Sequence, residues 1–178
     1  PADLIVVSTS RRDGKVSWLG DSVAEPLVRA SGEMTLLVPE DSAGFVCPDD
    51  GALTLKSLLV PIAAQPSPGP AIEAARRLMS QLPGVRGTAT VLHVGDPSTA
   101  PDVAFPAVEG WSWIRTIRSG DPVEAILQTA DEVAADLIAM TTAGRHGFLD
   151  ALRGSTTERV LHRARRPLLT MPVGSFLG

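Results

Sequence analysis

Apolar residues fall in short runs along this chain, at 4–7 (LIVV), 35–38 (TLLV), 57–62 (SLLVPI), 88–94 (TATVLHV), 137–140 (LIAM) and 168–171 (LLTM). Runs of four to seven residues bounded by glycine, proline and acidic residues are strand-length, and their continuous rather than alternating character predicts strands buried on both faces. Between them the period lengthens. Ile72, Ala75, Leu78, Met79 and Leu82 form a helical stripe over 70–82, closed by Pro83 and Gly84. Val123, Ile126, Leu127, Ala130, Val133 and Ala134 form another, opened by Asp121 as N-cap with Pro122 at the first helical position. Strands alternating with helices predict a parallel sheet with helices on both faces, joined by right-handed crossovers. The stretch 95–110 breaks the rhythm, because its three prolines disfavour a helix. It is long enough to cross over in extended form or to form a flap beside a site. Residues 111–118 (WSWIRTIR) read as a third strand, at an edge given its arginines.

The chain also repeats itself. Ala2, Asp3, Leu4 and Ile5 recur as Ala135, Asp136, Leu137 and Ile138, an offset of 136 − 3 = 133. The same offset pairs Thr9 with Thr142, Arg12 with Arg145, Gly14 with Gly147, Ser22 with Ser155, Glu25 with Glu158, Leu36 with Leu169 and Pro39 with Pro172. A gapless register of this length indicates an internal duplication. Residues 1–40 then read as the second half of a degenerate domain, with strands at 4–7 and 35–38 around a helix at 21–30. Residues 41–53 read as a linker and 54–178 as a whole domain.

The candidate chemistry lies at the end of the 137–140 strand. Met140 and Thr141 lead into a loop holding Gly144, Arg145 and Gly147, and Gly154, Ser155 and Thr156 then open a helix. Glycines permit close backbone approach, and open amides at a helix start attract anions, so the expected ligand is a phosphate. The spacing Thr141, Gly144, nine residues, Gly154, Ser155 resembles the glycine loop of the universal stress protein family. The strands 58–62 and 91–94 and the segments 119–140 and 158–172 are similar to that family in order.

The resemblance implies a three-layer α/β sandwich, with a five-strand parallel sheet of order 3-2-1-4-5 of the adenine nucleotide alpha hydrolase type, plus a partial β-α-β unit. It implies an adenine nucleotide such as ATP or AMP, held by the loop with Val94 against the adenine, and pairing of two copies as a dimer through the last strand, so that the strand at 168–171 is expected to meet its equivalent at 35–38. Two residues depart from the pattern. Thr141 stands where ATP-binding members carry glycine, and Ala63 where they carry an aspartate associated with ribose and Mg²⁺. A non-nucleotide interaction or oligomerisation domain is therefore the alternative, with a weak ATPase third. In the first copy, Arg11 and Asp21 replace Gly144 and Gly154, which marks it as structural.

The remaining features narrow the field. A net charge of −4 and a pI near 5.3 leave no basic excess for nucleic acid or a membrane surface. No apolar run approaches the roughly 18 residues of a membrane span, and the first residues lack a signal peptide's basic stretch. The single Cys47 gives no intrachain disulfide, and a cytoplasmic location is expected. His93 reads as a structural histidine and His146 as an exposed loop residue. Arg159, His162, Arg163, Arg165 and Arg166 read as a solvated basic helix end, and Trp111 with Trp113 as packing on one strand face. No phosphate-loop, dinucleotide, zinc or nucleophile-elbow motif is present, so no catalytic residue is expected.

Overall fold

The computed structural model describes residues 4–9, 11–12, 15–16, 33–42, 44–143 and 155–173. In order these form β1 (Leu4–Thr9), β2 (Arg11–Arg12), β3 (Lys15–Val16), β4 (Met34–Pro39), β5 (Ser57–Ile62), α1 (Gly69–Ser80), β6 (Gly87–Val94), β7 (Trp111–Arg118), α2 (Pro122–Glu132), β8 (Leu137–Thr142), α3 (Thr156–Arg163) and β9 (Leu168–Pro172). The short strands β2 and β3 pair with each other. The other seven make one sheet of order β1-β4-β9-β8-β5-β6-β7. Its last five members are parallel and run in the expected 3-2-1-4-5 order. The helix expected at 21–30 lies outside the described residues.

The apolar runs of β5, β6, β8 and β9 are largely buried as their continuity demands, whereas the run 4–7 of β1, expected to be buried on both faces, leaves Leu4 and Val6 exposed at the end of the sheet. On one face Leu59, Leu92, Ile138 and Leu168 pack under α2, through Val123, Ile126 and Ala130, and under α3, through Val160 and Leu161. On the other, Leu58, Val60, Val91, Ala139, Leu169 and Met171 pack under α1, through Ala71, Ile72, Ala75 and Met79. The Asp136 carboxylate accepts from the backbone amides of Lys56 (2.8 Å) and Ser57 (2.9 Å) and so fixes where β5 begins beside β8.

The seam between the two ends of the chain is antiparallel, with Thr35, Leu36 and Leu37 opposite Thr170, Leu169 and Leu168. This is the expected meeting of 35–38 with 168–171, and β4 thereby occupies the outer edge of β9. The parallel pairs on either side have the same spacing. Ile5 lies opposite Thr35 in one and Ile138 opposite Leu168 in the other, a separation of 30 in each (35 − 5 and 168 − 138). The two pairs differ in cover. Leu4 and Val6 on β1 are 42% and 61% exposed, whereas Leu137 and Ala139 at the same offset are 1% and 0% exposed.

The proline-rich 95–110 segment makes a single 3₁₀ turn at Pro97–Thr99, then runs without regular structure and packs Val103, Phe105 and Val108 against the α1-side core. Phe105 stacks on Trp113 with ring centroids 5.5 Å apart, the Arg115 guanidinium lies 5.6 Å from the Phe105 ring, and Trp113 Nε1 donates to Pro106 O at 2.8 Å. These contacts hold it down as a strap over β7. Within 41–53, Val46 bridges to Leu53, and Phe45 just before the bridge packs on the core. Among the described residues no helix is long and apolar enough to cross a membrane.

Candidate functional site

In a parallel sheet the carboxyl ends of the strands lie on one edge, and a crevice opens where neighbouring strands are followed by connections leaving in opposite directions. That point here lies between β5 and β8. A cavity of about 230 Å³ occupies it, lined by Pro61, Ile62 and Ala63 from the end of β5, Leu92 and Val94 from β6, and Met140, Thr141 and Thr142 from β8. Three helix starts complete the wall, with Pro68 before α1, Pro122 of α2 and Ser155, Thr156 and Thr157 at α3; Ile126 of α2 lies further in. The cavity is thus an apolar slot with hydroxyl groups along one side, and its described lining residues carry no charge.

Of the expected binding residues, Val94, Met140, Thr141, Ser155 and Thr156 are brought together around this cavity. Gly144, Arg145, Gly147 and Gly154 lie outside the described residues, as does His146. The sequence reading missed Leu92 and Ile126, which sit in apolar stripes indistinguishable from core, and Thr142 and Thr157, which neighbour residues it had chosen. The last two had a usable signal, being hydroxyl residues at a strand end and in the first turn of a helix.

Each helix start has its own capping chemistry. At α1 the Thr141 hydroxyl oxygen accepts from the Ala71 amide at 3.2 Å in a buried contact. At α2 the Asp121 carboxylate accepts from the amides of Val123 (2.9 Å) and Glu124 (3.1 Å). The Glu124 amide, then the Arg159 guanidinium 3.3 Å away, hold the Asp121 carboxyl below the usual carboxylate range. At α3 the Ser155 hydroxyl accepts from the Glu158 amide at 3.1 Å. The amides of Thr156 and Thr157 have no partner among the described residues, and they stand at the start of a helix whose dipole favours an anion.

The other candidates fall into structural roles. His93 is buried, its Nε2 lying 3.2 Å from both Asp96 O and Thr99 Oγ1. The basic helix end is matched by acids of α2: Arg159 faces Asp121, Arg163 faces Glu124 and Arg166 faces Asp131. Trp111 is core, folded over Gly87. No cluster of three potential metal ligands exists among the described residues.

Comparison with known proteins places this architecture. Residues 107–172 match the Universal stress protein family. No protein of curated function matches the chain. Among solved structures, a universal stress protein from Archaeoglobus fulgidus DSM 4304 is similar over 97% of this chain at 20% identity and a TM-score of 0.70. The chain spans 63% of that protein's length. A universal stress protein from Lactobacillus plantarum is similar over 65% of this chain and 97% of its own, at 17% identity and a TM-score of 0.47. A universal stress protein family protein from Arabidopsis thaliana with AMP bound is similar over 66% and 91%, at 17% identity and a TM-score of 0.42. The segment 107–172, which supplies β7, α2, β8, α3 and β9, matches the Universal stress protein family, and the sheet built around it has the fold of the Archaeoglobus fulgidus universal stress protein.

Proposed function

We propose that the chain is a universal-stress-type binding module that takes an adenine nucleotide in the β5–β6–β8 cavity and acts by binding rather than by catalysis. One observation carries this reading: the start of α3, where the amides of Thr156 and Thr157 have no partner among the described residues, stands beside a slot walled by Val94, Ile126 and Met140. A flat heteroaromatic base suits the slot, and a phosphoryl group suits the amides. When bound, the phosphate would complete the start of α3, and Gly144, Arg145, Gly147 and Gly154 would supply the rest of the cradle. The cytoplasm is where we place such a module.

The test is a thermal-shift titration with AMP, ADP, ATP and cyclic AMP, each with and without Mg²⁺, together with mass spectrometry of nucleotide released from the purified protein. A ligand at about 100 times its Kd adds roughly 2.7 kcal/mol, about 5–11 °C for a chain of this size. Val94→Trp, which fills the slot from a half-buried strand end, should remove the shift while leaving the unliganded protein folded. No shift with any nucleotide, and none carried through purification, would refute the reading.

A second reading, an interaction domain, draws on the exposure of Leu4 and Val6. We read 4–39 as half of a degenerate second copy, supported by the offset of 133 in sequence (137 − 4) and the equal 30-residue pairing on the two sides of the seam. On that reading β4 makes, within the chain, the contact a second copy would make with β9. A dimer would then use another surface, the uncovered side of β1 being the natural one.

A further inference from the structure

Three arginines in and just after α3 pair with acids of α2 and its N-cap, and the pairs are not equally close. Arg166 donates to Ala135 O at 2.6 Å and to Asp131 at 3.1 Å, and Arg163 meets both carboxylate oxygens of Glu124, one of them at 2.9 Å. Arg159 reaches Asp121 only at 3.3 Å and 3.5 Å. The loosest pair is thus the one at the helix starts, where Pro122 of α2 and Ser155, Thr156 and Thr157 of α3 line the cavity. We propose that this pair sets how tightly a phosphoryl group is held: Arg159 leaves Asp121 to bind it, and Asp121, by competing for the guanidinium, weakens the hold. The proposal rests on the nucleotide reading above and adds to it the residues that set the affinity.

Side chains on a helix lean toward its N-terminus. Arg159 lies one turn after Ser155, the N-cap of α3, so its guanidinium lies over the first turn, on the side that faces Asp121. Both side chains are open to water, 51% and 42% exposed, and an exposed pair at this distance is broken at little cost. A phosphoryl group at the start of α3 carries more negative charge than one carboxylate and can accept from both arms of a guanidinium. It is therefore the better partner for Arg159. Asp121 is held where it is, because its Oδ1 caps the amides of Val123 and Glu124. Its carboxyl, kept below the usual carboxylate range first by the Glu124 amide, stays ionised and opposes a phosphoryl group nearby. Removing that one charge would free the guanidinium and end the opposition together.

The experiment is titration calorimetry of the whole protein with AMP, and with adenosine by displacement of AMP, on wild type, Asp121→Asn, Arg159→Gln and the double variant. Asparagine caps a helix about as well as aspartate, so Asp121→Asn removes the charge and keeps the start of α2. Asp121→Asn should tighten AMP at least threefold and Arg159→Gln should weaken it at least threefold, with adenosine moved less than twofold by either. In the Arg159→Gln background the gain from Asp121→Asn should fall below twofold, since no guanidinium is released. Residues 144–154 are the same in every variant, so whatever they give the phosphate is common to all. A structural role alone would make both single variants weaker and would move adenosine with AMP, so the gain in Asp121→Asn is the decisive readout. No gain in Asp121→Asn, no loss in Arg159→Gln, additive effects in the double variant, or equal changes with adenosine would each overturn the proposal while leaving the nucleotide reading intact. Absence of AMP binding to wild type and to Asp121→Asn would overturn both.

Discussion

Leu4 and Leu137 are the same residue 133 positions apart (137 − 4), on strands paired at the same spacing, yet only one is covered. Leu137 is 1% exposed in the core under α1, and Leu4 is 42% exposed on β1. Truncating each to alanine therefore isolates the effect of the cover. At Leu137 the substitution removes three carbons from a closed core and leaves a cavity, a change that costs about 2.7–5.0 kcal/mol. At Leu4 water fills the space, no cavity term arises, and the cost should stay below about 1 kcal/mol. At about 2–4 °C per kcal/mol for this length, Leu137→Ala should lower the Tm by roughly 5–20 °C and Leu4→Ala by no more than about 4 °C. Urea denaturation followed by circular dichroism, at two protein concentrations, gives the free energies directly and tests for association. If Leu4→Ala costs as much as Leu137→Ala at high dilution, the face of β1 is covered within the monomer, and the contrast drawn between the two copies is wrong.

Other parts of the molecule give equally direct expectations. Asp136→Ala removes the acceptor for two backbone amides at the start of β5 and should cost about 2–4 kcal/mol in denaturation experiments, with Asp136→Asn recovering part of it. Gly110→Ala sets a Cβ 2.4 Å from Val85 O at a φ of +80°, so it should lower the Tm well beyond the roughly 0.5 kcal/mol of an ordinary surface change. The hydrogen bonds from Arg76, then those from Arg77, hold the Glu73 carboxyl down to about 2 from its ordinary 4.5. Its folded pKa is depressed, so its contribution is present above about 4.5 and is lost as pH falls toward 2. Glu73 is 34% exposed, so screening limits that contribution to under about 1 kcal/mol. Glu73→Gln should accordingly flatten the acid limb of the stability profile and leave the rest unchanged.

Much of this fold was legible because burial on both faces leaves an unmistakable mark: four continuous apolar runs became β5, β6, β8 and β9, and the arginine-bearing 111–118 became β7 at the edge. Their lateral order came from family resemblance alone, since no local pattern says that β5 has β6 on one side and β8 on the other. The crossover at 95–110 was half legible. Its prolines excluded a helix, but nothing near it in sequence showed that Phe105 would stack on Trp113 and hold it against the sheet. The site divides in the same way. Met140 and Thr141 could be found because their strand runs into the glycine loop, and Val94 because the family resemblance marks its position. The bond from Ala71 to Thr141 could not, because it joins a helix start to a strand end 70 residues away. The arginines of α3, and Arg166 just beyond it, read as solvated for a similar reason, since their partners Asp121, Glu124 and Asp131 lie on α2 or at its N-cap, which only the fold brings alongside.

The antiparallel seam bears on the origin of the chain in a way sequence similarity does not. Exchanging the two ends at the offset of 133 (169 − 36) turns the pair Thr35–Thr170 into Leu168–Leu37, which is itself a pair in the seam, and turns Leu36–Leu169 into itself. The seam is therefore unchanged by swapping its halves, with its centre at Leu36 and Leu169. An arbitrary strand recruited to cover the edge of β9 could pair in any register whose faces match, since shifts of two residues preserve which side chains point inward. Symmetry selects one of these, and β4 adopts it. On our reading the seam is the contact of two former equals, and this explains why β1 keeps apolar residues on its uncovered side. Leu4 and Val6 occupy positions that, in the intact copy, lie beneath α1.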